Sequence, residues 1–329
     1  MDQRVFQGME YVYQVYKEGS FLKASEKLFI SQPSISASVH RIEERLGCQL
    51  FDRSVKPLQL TECGARYISC VEKIMAIERE FSEYVNDWGG LKRGKLILGG
   101  SSLFSSLVLP PLMAAFRQKF PQIQVELVEE TTGKLEEMLQ RGTVDLVMDY
   151  TIPNSDRYES RVVEEDYLIL SVPNANPLNR KLKSFWLPLD KIGTPAQEQV
   201  PPVSLDVFRD EAFILLKPEN DSRIRADRLC LEKGFLPKVI MECDQQMTAY
   251  LVSCSGAGIS FASSSMVSRM MPNPAVCYYR LSGECSRRQV RIFRKQGRYI
   301  TRAMEEFMRV AVNALCDPDY PQNQGTLWE

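Results

Sequence analysis

The 329-residue sequence has almost no histidine: His40 is the single one. A Ser-His-Asp triad, a His-rich zinc site or a histidine general base would each have to use that residue, which removes most enzyme classes. No catalytic, metal or cofactor residue is therefore assigned. The nine cysteines, spread from Cys48 to Cys316, include no Cys-x-x-Cys pair. That odd, scattered set fits a reducing cytoplasm rather than a disulfide framework. No apolar run approaches the roughly 18 residues of a membrane span. The opening stretch MDQRVFQGMEYVYQVYKEGS has neither the apolar core nor the cleavage site of a signal peptide. Charge of one sign is also lacking. Lys and Arg number 41 against 42 Asp and Glu, so bulk basicity announces no nucleic-acid partner. What is present is a chain with 44% hydrophobic and 25% charged residues, enough to bury a core and stay in solution. At about 150 residues per domain its length suggests two domains.

Three stretches differ in character. Residues 1–62 are short helical patterns broken by Gly-Ser and Ser-Gln-Pro. Residues 63–90 form one long helical pattern without proline. Residues 91–316 alternate strand-like runs, such as KLILGG (95–100), IQVELVEE (123–130), DLVMDY (145–150), YLILSV (167–172), VCYYRL (276–281) and RQVRIFR (288–294), with amphipathic helices. One of those helices puts Leu135, Met138 and Leu139 on one face, with Gly142 as its C-cap. Strand–helix–strand order implies parallel sheet with right-handed crossovers. A polar tail, 317–329, is expected to be loose.

In the first stretch, Met9, Val12, Val15 and Tyr16 mark the inner face of a helix. Ser20 suits the N-cap of a second, with Ala24 and Leu28 inward. Ser31 suits the N-cap of a third, with Pro33 in its first turn. Ile35, Val39, Ile42 and Leu46 then repeat as one apolar stripe until Gly47. Two helices joined by a short turn, the second long and polar outside, have helix-turn-helix spacing. The outer face carries Gln32, Ser34, Ser36, Ala37, Ser38, His40 and Arg41, groups suited to base edges in a major groove. Gln49–Arg53 and Leu58–Thr61 resemble two short strands of a wing, with Arg53 and Lys56 placed to meet phosphates. We expect Gln32, Ser34, Ser36 and Ala37 to read bases, and Ser31, Pro33, His40, Arg41, Arg53 and Thr61 to position the DNA backbone. Residues 1–62 hold eight cations and eight carboxylates. A DNA face must then arise from placement, and modest affinity per copy favours a dimer. Tyr67, Val71, Ile74, Glu78, Phe81, Val85 and Trp88 run at heptad spacing and predict a dimer helix, with Gly89-Gly90 as a flexible exit.

The run Gly19-Ser20-Phe21-x-x-Ala24-x-x-x-Leu28-x-x-Ser31-Gln32-Pro33-Ser34-x-Ser36, then Arg41-Ile42-Glu43-x-x-Leu46-Gly47-x-x-Leu50-Phe51-x-Arg53 and Leu60-Thr61-x-x-Gly64, resembles the LysR-type transcriptional regulators. The match is dense over about 60 residues and looser to residue 316. Ser25 departs from the usual second alanine, and Lys56 from an Arg-rich wing position. The resemblance implies an N-terminal all-α winged helix-turn-helix and linker helix. It implies a C-terminal α/β domain of two Rossmann-like subdomains of the type 2 periplasmic-binding-protein fold. Subdomain I is expected over about 91–150 and 266–316, and subdomain II over about 151–265, with the chain crossing near Asp149–Thr151 and returning near Ser263–Met271. Promoter DNA, further copies of the chain as dimer and tetramer, and RNA polymerase are the macromolecular partners expected.

Ligands of open α/β sheets sit at the carboxyl ends of strands. That rule selects Ser101 and Ser102 after the first strand and the Glu129–Gly133 turn after the second, where Thr132 also matches an effector-contact position of the family. In subdomain II, Lys217, Ser222 and Arg223 precede or open a helix, and Gln246, Met247 and Thr248 open another. The expected effector is a small organic anion held by Ser101, Ser102, Thr132, Ser222 and Met247. Lys183–Pro202 resembles an insertion, either a surface excursion or a flap near the cleft. Some LysR relatives sense redox state through cysteine, which makes Cys230, Cys243 and Cys254 the thiols to watch. Two rivals of other classes are a solute-binding protein and a small-acid enzyme on the same α/β fold. The added N-terminal helices oppose the first, and the missing histidines oppose the second.

Overall fold

The computed structural model describes residues 5–55, 57–87 and 94–315. Lys56, Trp88, the Gly89-Gly90 exit and the tail beyond 315 lie outside the described residues. The chain divides into two compact units, Met1–Gly89 with Gln140–Thr143, and Gly90–Leu139 with Val144–Glu329. Among the described residues no helix is long and apolar enough to cross a membrane.

The first unit comprises α1 (Met9–Glu18), α2 (Phe21–Leu28), α3 (Gln32–Leu46), β1 (Phe51–Asp52), β2 (Gln59–Leu60) and α4 (Glu62–Asp87). Local chemistry sets each boundary. The Ser20 hydroxyl accepts the Lys23 amide, the Ser31 hydroxyl accepts the Ser34 amide, and Gly47, with φ of 67°, closes α3 in the left-handed region. Ile35, Val39 and Ile42 are buried against Val12, Val15, Ala24 and Leu50. Ser25 is buried, and its hydroxyl donates to the Leu22 carbonyl at 2.6 Å, so the departure from alanine is satisfied locally. The wing is shorter than its sequence pattern: only Phe51↔Leu60 and Asp52↔Gln59 pair. Behind it, a Cβ on Gly64 would stand 1.9 Å from the Leu50 carbonyl oxygen. The start of α4 crosses the wing backbone too closely for any side chain. Cys48 and Cys63 are joined as a disulfide beside this crossing, one bridge where the scattered cysteines suggested no disulfide framework.

The second unit is two lobes on one continuous nine-stranded sheet. Lobe I holds β3 (Gly94–Gly100), α5 (Leu109–Lys119), β4 (Ile123–Glu129), α6 (Thr132–Arg141), β5 (Leu146–Asp149) and, from the chain's end, β11 (Arg287–Lys295) and α10 (Arg302–Leu315). Strands β4, β3 and β5 are parallel, and β11 joins antiparallel to β5. The helix after β3 starts with a π turn over Phe104–Val108, where Pro110 and Pro111 lack the amides that would continue ordinary bonding. Lobe II holds β7 (Ala212–Leu216), α7 (Asp221–Glu232), β8 (Lys238–Cys243), α8 (Gln246–Cys254), β9 (Ile259–Ser263), α9 (Ser264–Met270) and β10 (Val276–Arg280).

The lobes share β6, a 16-residue strand, Tyr158–Pro173. Its residues 158–167 pair with β11 of lobe I, and 168–171 pair with β9 of lobe II. The chain therefore changes lobe inside β6, later than Asp149–Thr151. It returns only at the start of β11, later than Ser263–Met271, because β10 pairs with β6 and its Tyr279 packs in the lobe II core with Leu170 and Phe208. The Lys183–Pro202 segment is neither a surface excursion nor a flap. Leu187, Ile192 and Val200 are buried with Ile169, Tyr250 and Tyr278, and the Leu187 amide donates to the Tyr278 carbonyl at 2.8 Å. Burying three large apolar side chains holds it on the lobe.

Candidate DNA interface and effector cleft

In α3 the outer-face residues stand where the helical pattern puts them. Ser31, Gln32, Pro33, Ser34, Ala37, His40 and Arg41 are exposed and Ser36 is half-buried. The first turn is stiffened by a 2.7 Å hydroxyl pair, Ser31 with Ser34. Arg41 is aligned along the helix, with Nε donating to the Ala37 carbonyl and Nη2 to the Ser38 hydroxyl. His40 Nε2 lies 3.4 Å from Glu44. Thr61 and Arg53, two of the residues expected to position the DNA backbone, have internal duties. The Thr61 hydroxyl donates to the Gln49 carbonyl at 2.7 Å and accepts the Gly64 amide at 2.9 Å, so it caps α4 and pins the wing. Arg53 pairs at 3.0 Å with Glu43 and lies over the Phe21 ring. Glu43, buried in α3, also accepts the Leu50 and Phe51 amides, fastening the wing to the recognition helix. The motif contains Glu43, but a carboxylate beside an apolar stripe gives no hint of that role.

Helix α4 splits the predicted seam. Tyr67 and Val71 are buried in the first unit's own core, Val71 at 0% exposure, so Val71 cannot serve a partner helix. Ile74 is half-buried. Phe81 and Val85 are 67% and 52% exposed, and Ile77 and Tyr84 are exposed beside them. Ile77, Phe81 and Tyr84 fall at i, i+4 and i+7, which gives a seam without the charged Glu78.

All five expected effector residues line one cleft between the lobes. Its volume is about 750 Å³, and Ser101, Ser102 and Thr132 face it from lobe I, Ser222 and Met247 from lobe II. The reason is topological: each follows a strand's carboxyl end or opens the next helix. Arg223 does not line it. Its guanidinium is held by Asp227, Glu242 and the Leu216 carbonyl.

Four residues with no role legible in the sequence form the cleft floor and the hinge beside it. Asp149, at the end of β5, accepts from the Thr132 hydroxyl at 2.9 Å and the Tyr150 amide at 2.8 Å. Burial pushes its carboxyl up to about 6, against the pull of these donors and of Arg288. Arg288, 4% exposed, lies 3.6 Å from the centre of the Tyr150 ring. It donates through Nε to Asp166 at 3.0 Å and through Nη1 to the Ser222 hydroxyl at 2.8 Å. Asp166 lies on β6 where the chain changes lobe, and also accepts from Tyr150, Ser263, Ser264 and the Ser265 amide. Burial alone would raise its carboxyl. Arg288 and the hydroxyl donors outweigh that and hold it below the usual range.

The watched thiols are set against redox chemistry. Burial, then Asp227, pushes Cys230 up to about 12, and burial raises Cys243 and Cys254. A reactive thiol needs the opposite shift.

A winged helix-turn-helix on one unit and a bilobal α/β domain with a polar cleft on the other define a DNA-binding regulator carrying its own sensor. The family model for the bacterial regulatory helix-turn-helix protein, lysR family, matches residues 6–65, and that for the LysR substrate binding domain matches residues 89–316. An uncharacterised HTH-type transcriptional regulator of Bacillus subtilis (strain 168), YcgK, is 30% identical over 93% of this chain and 94% of its own. Among solved structures, a full-length OxyR variant from Pseudomonas aeruginosa superposes with a TM-score of 0.68 at 19% identity, covering 93% of each chain. Full-length CbnR complexed with its target DNA gives 0.64 at 19% identity, covering 94% of this chain and 99% of that one. The chain belongs to the LysR family of transcriptional regulators, whose members are not enzymes.

Proposed function

We propose that this regulator binds its operator through α3 and the wing as a homodimer, and that a small-molecule effector seated between the lobes switches its output. The observation carrying the effector site is the convergence of Ser101, Ser102, Thr132, Ser222 and Met247, from four separate segments, on one cleft. The effector acts only if its affinity differs between two arrangements of the protein, since equal affinity shifts nothing.

The exposed first turn of α3 supports base reading by Gln32, Ser34, Ser36 and Ala37, with Ser31, Pro33, His40 and Arg41 on the backbone. Arg53 and Thr61 then act on DNA chiefly by fixing the wing. Gln32→Ala is expected to weaken cognate binding by roughly 1–3 kcal/mol and to relax preference at one base pair. Gel-shift titration against operator variants checks this. Unchanged sequence preference would remove Gln32 from the groove.

Dimerisation is supported by the exposed stripe Ile77, Phe81, Tyr84 and Val85. Tetramer contacts are supported by apolar side chains left exposed on α7 and β8, Ile224, Leu231, Ile240 and Met241. Phe81→Asp with Val85→Asp places two carboxylates per copy in the seam. Sedimentation should show a fall in mass, and an unchanged mass would refute the seam.

A further inference from the structure

The two walls of the cleft differ in charge. Lobe I contributes Glu129, Glu130 and Asp149 and, among the described residues, no cation. Both cations of the lining, Lys217 and Arg288, come from lobe II and the hinge, beside three carboxylates of that wall, Glu219, Asp221 and Asp244, of which Asp221 is held by Arg225 at 2.8 Å. Lys217 is already matched by Asp244 at 2.6 Å. The Thr132 hydroxyl carries the same asymmetry. Thr132 donates its proton to Asp149. What it has left for a ligand is lone pairs, so this wall asks for a hydrogen-bond donor, and its three carboxylates ask for a positive one.

The opposite wall asks for an acceptor. Arg288 is buried, and its Nη2 has no hydrogen-bond partner although Nε and Nη1 are both engaged. An unpartnered guanidinium N–H is costly to bury, and a carboxylate beside it would satisfy it. The N-terminal turns of α7, 12 residues long, and α8, 9 residues long, open on the same side, with Ser222 and Gln246 in the lining. Their dipoles favour negative charge.

We propose that the effector is a zwitterion of the amino-acid class, with its ammonium group on Ser101, Thr132 and Asp149 and its carboxylate on Arg288 and the α7–α8 side. This rests on the effector reading of the cleft and narrows the organic anion expected from sequence. A plain dicarboxylate would satisfy Arg288 but would set its second charge against three carboxylates. A plain amine would satisfy lobe I but leave Nη2 unpaired. Neither end tests the middle of the ligand, so the side chain of the amino acid is chosen by the remaining lining, Met247 and Leu103 included.

The test is a thermal-shift and calorimetric panel on the full chain, using the twenty free amino acids and short ω-amino acids. Alongside run their N-acetyl derivatives, their amides and linear dicarboxylates. At least one free amino acid should raise the sensor transition. Its N-acetyl form, which lacks the ammonium, and its amide, which lacks the carboxylate, should each bind about 10- to 100-fold more weakly. The cleft itself is checked with Gly133→Trp. Gly133 lines the cleft and a Cβ there meets nothing within 4 Å, so a bulky side chain can be added at the cleft wall without a clash at its root. Equal or tighter binding of N-acetyl forms or dicarboxylates, lost in Gly133→Trp, overturns the zwitterion while leaving the cleft as effector site. Equal binding of amides overturns it as well. Absence of a shift from every free amino acid does the same. A free-amino-acid shift that persists in Gly133→Trp overturns the cleft reading itself.

Discussion

Replacing Arg288 by methionine is expected to cost the sensor about 3–5 kcal/mol, the usual result of removing one partner of a buried ion pair. Asp166 has 0% side-chain exposure and Arg288 1%, so water cannot take over the lost charge. The variant leaves a buried carboxylate with hydroxyl and amide donors but no cation, and opens the stacking contact on Tyr150. Adding Asp166→Asn should recover much of the loss, because the stranded charge is then gone. Because the pair lies where β6 and β11 pass between the lobes, it also holds their relative setting. Denaturant unfolding of the full chain, followed separately for its two units, measures both variants. A cost below about 1 kcal/mol, typical of an exposed ion pair, would show that the hinge does not depend on this contact.

The parts of this design legible in the sequence are those governed by local chemistry. Ser31, Pro33 and Gly47 announce the limits of α3, and the Ile35–Val39–Ile42 stripe announces its inner face, because caps and a 3.6-residue period need no tertiary information. Ser101 and Thr132 are legible because strand ends of an α/β sheet meet at its clefts. What stays hidden depends on partners far along the chain. Glu164, Glu165 and Asp166 look like a charged turn, so the sequence pattern begins the strand at Tyr167. In fact they lie inside β6, and Asp166 finds its cation 122 residues later. Arg288 likewise resembles an outward-facing strand residue. Heptad spacing in α4 does not separate Val71, which fills its own core, from Phe81, which does not. The prolines of 183–202 suggest a surface loop because Leu187, Ile192 and Val200 follow no period, although all three are buried.

Replacing Asp149 by asparagine is expected to stabilise the effector-free sensor at neutral pH, by up to about 3 kcal/mol. The carboxyl sits at about 6 in the fold and near 3.9 in an unfolded chain, and each pKa unit corresponds to about 1.36 kcal/mol. Its folded value is the higher one, so the folded state binds the extra proton. The contribution is most favourable below about pH 4 and is lost as pH rises through about 6. Above that, the fold carries a buried carboxylate whose burial outweighs the help of Tyr150, Thr132, Ser101 and Arg288. Asparagine keeps an acceptor for the Tyr150 amide and has no proton to lose. The stability difference between variant and parent should thus be small near pH 4, grow between pH 4 and 6, and level off above pH 7. Taking that difference cancels the other titrating groups. Thermal unfolding across this range measures it, and a difference independent of pH would place the Asp149 carboxyl at its ordinary value. Retaining an unfavourable charge in the floor of a binding cleft is a known exchange of stability for function. Asp149→Asn therefore also tests the ligand: the more stable variant should bind the free amino acid less tightly, since a neutral amide no longer attracts the ammonium group.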